Sequence, residues 1–196
     1  EEAVDENGAT HFAYNFIDWP THYEPGGKEA KRRDELAGVN YLLRVALKAA
    51  EEILRALGRD GSRCALLAER LSKSDCRAHT YKQIAALGVW AGEKTEEYRS
   101  LLLSGGATGM STFMSYEILS ACAAYGEYDA AMKMLKEYYG GMLALGATTF
   151  WEDFAPKWAE NAASVDELPR PGQKDVHGDC GAFCYKGFRH SLCHGW

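Results

Sequence analysis

From Asp34 onward, apolar residues recur at three- and four-residue steps: Leu36, Val39, Leu42, Leu43, Ala46, Leu47, Ala50, Ile53, Leu54 and Leu57. That period puts them on one side of an amphipathic helix, for which Gly58 is a natural stop. Cys64, Leu67, Ala68 and Leu71 mark a second, shorter helix. An alanine-rich third runs from about Tyr81 to Trp90, and a fourth from Glu96 to Leu103, closed by Gly105-Gly106. Thr112 opens a fifth, in which Phe113, Met114, Tyr116, Ile118, Leu119, Cys122 and Ala123 are apolar nearly all round. Such a helix is expected to be deeply buried. Gly126 ends it, and Tyr128 to Leu145 forms the sixth, with Ala131, Met132, Leu135, Tyr138, Tyr139, Met142 and Leu143. No segment carries the alternation of a strand. The pattern predicts an all-α fold of six helices, paired by short Gly-containing or polar links into three antiparallel hairpins.

The ends read differently. Residues 1–34 are expected to be irregular: Phe12, Tyr14, Phe16 and Ile17 alternate briefly, and Asp18-Trp19-Pro20-Thr21 breaks the pattern. Tyr23 to Arg33, a polar stretch with Pro25, Gly26 and Gly27, reads as an exposed loop. After Glu152 the chain turns irregular again, with Pro156, Pro169 and Pro171.

Composition narrows the function classes. The 196 residues suffice for one sizeable domain spanning 1–196. A net charge of −6 argues against a nucleic-acid surface, which needs clustered excess Lys and Arg. No apolar run approaches the roughly 18 residues of a membrane span, and no signal peptide is evident. The first residue is Glu1 rather than Met, so a processed product and a piece of a longer protein both stay open. The compartment is not fixed by the sequence. Cys64, Cys76 and Cys122 fall in or near helix-like segments and are expected to be free thiols acting as small hydrophobes. Spacing alone does not determine pairing.

Two stretches carry candidate chemistry. In Gly146-Ala147-Thr148-Thr149-Phe150-Trp151-Glu152-Asp153, two threonines, two aromatics and two carboxylates follow a helix terminus. Aromatic faces stack on the apolar side of a sugar, and carboxylates move protons. A capped loop whose aromatics plug the core accounts for the same composition. Asp18 stands beside Trp19 in a similar setting, and a carboxylate next to tryptophan tends to be desolvated toward a useful acid–base range. Inverting glycoside hydrolysis needs two such groups with room for a water. The second stretch is His177-Gly178-Asp179-Cys180, Cys184, His190 and Cys193-His194. These are zinc-type ligands, but the spacing is loose and lacks the usual Cys-x2-Cys knuckle. Neither a metal nor a cofactor is expected. His11, His22 and His79 are scattered.

Phe16-Ile17-Asp18-Trp19-Pro20, Gly140 to Glu152 with its Thr148-Thr149-Phe150-Trp151-Glu152 core, and Phe188-Arg189-His190-Ser191-Leu192-Cys193-His194-Gly195-Trp196 together resemble bacterial α-L-rhamnosidases of glycoside hydrolase family 78. The resemblance runs over essentially the whole chain, including Lys82-Gln83 and Gly109-Met110-Ser111-Thr112-Phe113-Met114. It implies an (α/α)6 toroid of six helical hairpins and inverting hydrolysis of terminal α-L-rhamnose. By the same resemblance Glu152 is the general base, Trp19 lines the rhamnose subsite and His194 contacts the sugar. Trp151 shapes the pocket and Asp18 helps orient it.

The chain departs from the family at the general acid, which there lies in an upstream Arg-Asp-Glu-Arg segment followed by Gly-Trp. Arg33-Asp34-Glu35-Leu36 is only superficially similar, reading instead as a charged pair that opens a helix. Three hairpins and one catalytic carboxylate therefore correspond to the C-terminal half of the barrel. That half is expected to be nearly inactive alone and to self-associate through uncovered helix faces. The competing readings are a non-catalytic α-hairpin module that binds sugar or protein through Trp19, Trp151 and His194, and a zinc-stabilised interaction domain.

Overall fold

The computed structural model describes residues 4–12, 15–18, 27–151 and 154–176. Among them it is all-α, with six helices and no strand. The helices are α1 Gly27–Ala56, α2 Ser62–Ser72, α3 Lys82–Trp90, α4 Glu96–Leu103, α5 Ser115–Ala124 and α6 Tyr128–Ala144. A single 3-10 turn follows at Pro156–Trp158. No helix among the described residues is long and apolar enough to cross a membrane. The chain divides into two compact units, residues 1–17 with 25–101, and residues 18–24 with 102–196.

In the first unit α1 packs against both α2 and α3. It starts seven residues before Asp34, where the apolar period begins, so the loop expected up to Arg33 is helical from Gly27. Lys28-Glu29-Ala30-Lys31-Arg32-Arg33 are all good helix formers. A solvent-facing first turn needs no apolar residue, which is why hydrophobic periodicity does not see it. Asp34 thus lies two turns inside the helix and does not open it.

The inward side of α1 is also more polar than expected. Asp34, Asn40 and Arg44 are buried beside Ala37, Gly38 and Tyr41, while Leu42, Ile53 and Leu57 are exposed. Burying polar groups is tolerable only when most of their hydrogen bonds are made, and each of these three finds partners, although the Arg44 Nε is buried without one. Asp34 Oδ2 accepts the backbone N–H groups of His79, Thr80 and Tyr81 at 3.1, 2.9 and 3.1 Å and the Thr80 hydroxyl at 3.0 Å. Asn40 donates to the Gly8 carbonyl at 3.0 Å. Arg44 pairs with Glu93 and donates to the Ala91 carbonyl at 3.2 Å. Tyr41 completes the cluster, its hydroxyl 3.1 Å from Glu93 and hydrogen bonded to Tyr98. Burial and the neighbouring phenol push its acidity far from neutral pH, so it stays protonated. Gly88 of α3 makes room for the two rings: a Cβ there would lie 2.5 Å from Tyr98.

In the second unit α5 and α6 pack across the link 125–127. Gly126 takes φ +81, and the Glu127 N–H reaches back to the Cys122 carbonyl at 3.0 Å, the glycine-terminated closure expected there. Its core holds Met110, Met114, Ile118, Met134, Tyr138, Met142, Phe154 and Trp158. Two expectations need correction. The helix expected from Thr112 begins at Ser115, because the hydroxyls of Ser111 and Thr112 are engaged elsewhere. Nor is α5 buried all round: Phe113, just before it, and Tyr116 are exposed. On α6, Ala131, Met134, Tyr138 and Met142 face inward, and the adjoining stripe of Tyr128, Met132, Leu135 and Leu143 is exposed.

Candidate functional site

Of the five residues the sequence singles out, Asp18 and Trp151 are described, while Trp19, Glu152 and His194 lie outside the described residues. So do residues 177–194, the candidate zinc cluster. Among the described residues no group of three His, Cys, Asp or Glu could hold a metal ion.

Asp18 and Trp151 come together in the second unit on two consecutive residues. Ser111 donates its hydroxyl to the Asp18 carboxylate and accepts the Met114 N–H at 3.3 Å. Thr112 donates its hydroxyl to the Trp151 carbonyl. Both residues are buried, on the turn that leads into α5. A bent backbone frees their side chains from the helix, where Ser and Thr would otherwise bond back to the preceding turn. Ser111-Thr112 therefore anchors a carboxylate on one side and the aromatic-acidic loop on the other.

A band of hydroxyls continues from there. Tyr138 lies 3.3 Å from Thr112, and its oxygen accepts the Phe154 N–H at 3.1 Å. Ser115 donates to the Thr112 carbonyl at 3.0 Å, and the Tyr139 hydroxyl lies 2.6 Å from Ser115. Desolvation pushes the Tyr139 phenol up, so it remains a neutral hydrogen-bonding group. Pairs of edge-on rings fill the space around these hydroxyls. Tyr138 meets Phe154 at 5.6 Å, Phe154 meets Trp158 at 6.0 Å and Tyr139 meets Phe150 at 4.8 Å between centroids. Gly141 of α6 lets Phe154 seat, since a Cβ there would fall 2.6 Å from its ring.

The aromatics divide by role. Trp151 is only 7% exposed and lies against Phe154, so it backs the site with apolar mass. Phe150, 43% exposed, is the ring of this segment with a face available for stacking, and Thr148 and Thr149 beside it are exposed. Sequence reasoning identified the aromatic-acidic loop but missed Ser111, Thr112, Ser115 and Tyr138. The sequence marks Ser111 and Thr112 only as polar residues just before an apolar run. Tyr138 looks like any core position of α6.

Clefts also occur elsewhere among the described residues. One of about 580 Å³ in the first unit is lined by Asp5, Arg33, Lys73, Cys76, Arg77 and His79 among others. One of about 390 Å³ in the second unit lies between the Gly105-Gly106 turn and Lys133, Met134 and Glu137 of α6. Neither is lined by Asp18 or Trp151. Glu35 of α1 carries a carboxyl pushed up by desolvation against the pull of Lys31.

Comparison of the chain with protein-family models, curated proteins and solved structures finds no match.

Proposed function

We propose that this chain carries the base half of an inverting α-L-rhamnosidase site, built on helical hairpins of an (α/α)6 toroid. The observation that carries the reading is the convergence of Asp18 and Trp151 on Ser111-Thr112, beside the Thr148-Thr149-Phe150-Trp151-Glu152 segment. In this reading Glu152 takes a proton from water as the water attacks the anomeric carbon. The C1–O bond breaks on the opposite side, and the sugar leaves as the β-anomer. Trp19 and His194 hold the ring, Asp18 orients it from its Ser111 anchor, and Trp151 lowers the dielectric behind it. The leaving oxygen needs a proton from an acid, and the acid-bearing segment of the resembling family has no counterpart in these 196 residues.

Titration calorimetry with L-rhamnose tests the site. Weak binding is expected, reduced about tenfold in Asp18→Ala, the loss of one charge-assisted hydrogen bond. Absence of any heat with L-rhamnose, against a chain shown folded by circular dichroism, would refute it. Rhamnose binding without Glu152-dependent turnover of any rhamnoside would instead favour the sugar-binding module.

Self-association is part of the same reading. α1 leaves Leu42 and Ile53 exposed, Leu57 just past its end is exposed too, and α6 leaves Tyr128, Met132, Leu135 and Leu143 exposed. A run of apolar side chains along a helix gains free energy when another helix covers it. Light scattering coupled to sizing should show a mass above one chain, and Leu143→Lys with Met132→Lys should shift it toward the monomer. A strictly monomeric wild type at micromolar concentration would count against association.

A further inference from the structure

The cleft of about 580 Å³ in the first unit takes its walls from the turn 5–9, from Arg33 of α1 and from the loop 73–79. Ala9 is the one aliphatic side chain that lines it. Both backbone walls are fixed from behind. Asp5 Oδ1 accepts the Asn7 and Ala9 N–H groups at 2.9 Å, and Asn40 donates to the Gly8 carbonyl at 3.0 Å. On the other side Asp34 accepts the His79 and Thr80 N–H groups, and Arg77 Nη1 donates to the Ser74 and Cys76 carbonyls at 2.7 and 2.8 Å. The cleft is therefore preformed, and a ligand entering it need not order the walls.

Some of its polar groups are already used. Arg77, His79 and Lys73 lie 3.5, 3.4 and 3.8 Å from Glu93, Glu97 and Glu69. Others are not. The Arg33 guanidinium reaches the Asp34 carboxylate only at 4.0 Å, beyond hydrogen-bond length. Ser74 is 5% exposed, and its oxygen accepts the Cys76 N–H at 3.2 Å, but among the described residues its hydroxyl hydrogen has no acceptor. A buried donor left in that state favours an acceptor brought in from outside. Among the described residues the carboxylates of Glu6 and Asp75 accept no hydrogen bond. One preformed cleft thus offers unspent donors around a cation and unspent acceptors on two anions.

We propose that this cleft binds a small polar zwitterion, an α-amino acid with an uncharged polar side chain. Its carboxylate meets Arg33 and the Ser74 hydroxyl, and its ammonium meets Glu6 and Asp75. A guanidinium fork matches a carboxylate in two parallel hydrogen bonds, and an ammonium carries three donors for acidic oxygens. A simple anion would face the two carboxylates uncompensated, and a simple cation would face Arg33. An apolar ligand would find almost no apolar wall. The site owes nothing to the reading of the second unit as a sugar site.

Amide chemical shifts of the intact 196-residue chain, titrated with three probes, test the proposal. L-glutamine carries both charges, N-acetyl-L-glutamine lacks the ammonium, and L-glutamine amide lacks the carboxylate. L-glutamine should move the Asn7, Asp75, Cys76 and Arg77 amides with a dissociation constant in the millimolar range. Each analogue should bind about tenfold more weakly, the worth of one charge-assisted contact. Arg33→Gln should weaken L-glutamine about tenfold and leave the amide analogue unaffected. Asp75→Asn should weaken L-glutamine and leave the N-acetyl analogue unaffected.

No shift of these amides at tens of millimolar L-glutamine overturns the site. N-acetyl-L-glutamine binding as well as L-glutamine makes it an anion site, and equal binding of the amide makes it a cation site; either overturns the zwitterion. L-glutamine binding that ignores both substitutions overturns the assignment of residues. The Arg33 and Asp75 side chains are exposed, so both variants should keep the fold. If one does not, the two analogues on the wild-type chain decide the matter.

Discussion

A rhamnoside with a good leaving group is expected to be the substrate that this chain turns over, and Glu152→Gln is expected to abolish even that. Protonating the leaving oxygen is worth about 100- to 10,000-fold when the departing alkoxide is a strong base. A dinitrophenolate leaves without that help. The chain should therefore show slow, Glu152-dependent release of dinitrophenol from its α-L-rhamnoside and none from an alkyl α-L-rhamnoside. Plotting rate against leaving-group acidity should give a steep line, where a site with both carboxylates gives a shallow one. Fast hydrolysis of the alkyl substrate would mean that a proton donor is present in these residues, and the half-site reading would fall. Release of dinitrophenol at the same rate in Glu152→Gln would remove Glu152 from the chemistry.

Asp34→Ala is expected to destabilise the first unit by about 3 kcal/mol, more than any substitution on the exposed side of α1. The side chain is 0% exposed, and its carboxylate accepts from three backbone N–H groups and one hydroxyl at the entrance to α3. Alanine leaves those donors, part-buried at His79 and Thr80 and buried at Tyr81, without their protein acceptor. It also removes the negative charge that faces the positive end of the α3 dipole. Asp34→Asn keeps one acceptor oxygen and loses the charge, so it should fall between wild type and Ala. Urea unfolding followed by circular dichroism reads both. A loss below about 1 kcal/mol for Asp34→Ala would show that water replaces the carboxylate and that these contacts are not structural.

What the sequence shows and what it hides follow from the physics of each signal. All six helices are legible because apolar residues recur at helical steps and glycines such as Gly58 and Gly126 stand where the turns are. The start of α1 is not legible from that period, since Lys28 to Arg33 hold a helix by propensity alone. Its inner side is misread for the opposite reason. Asp34, Asn40 and Arg44 are buried because each meets a particular partner distant in sequence, and hydropathy carries no record of partners. At the site, Asp18 and Trp151 stand out because carboxylates beside indoles are chemically conspicuous. Ser111, Thr112 and Tyr138 do not, since a hydroxyl that bridges two backbones looks in sequence like any other small polar or core aromatic residue.

The hold that Asp34 has on the turn entering α3 also bears on the order in which the chain acquires structure. A nine-residue helix is shorter than the roughly 12–15 residues an isolated helix needs to persist in water. The acceptor for the N–H groups of the turn that leads into it, His79 to Tyr81, sits on another helix, about 46 positions earlier. α3 therefore cannot mature on its own timetable. It must wait for α1, which vectorial synthesis delivers first, and the N-terminal helix becomes a template against which the next ones are completed.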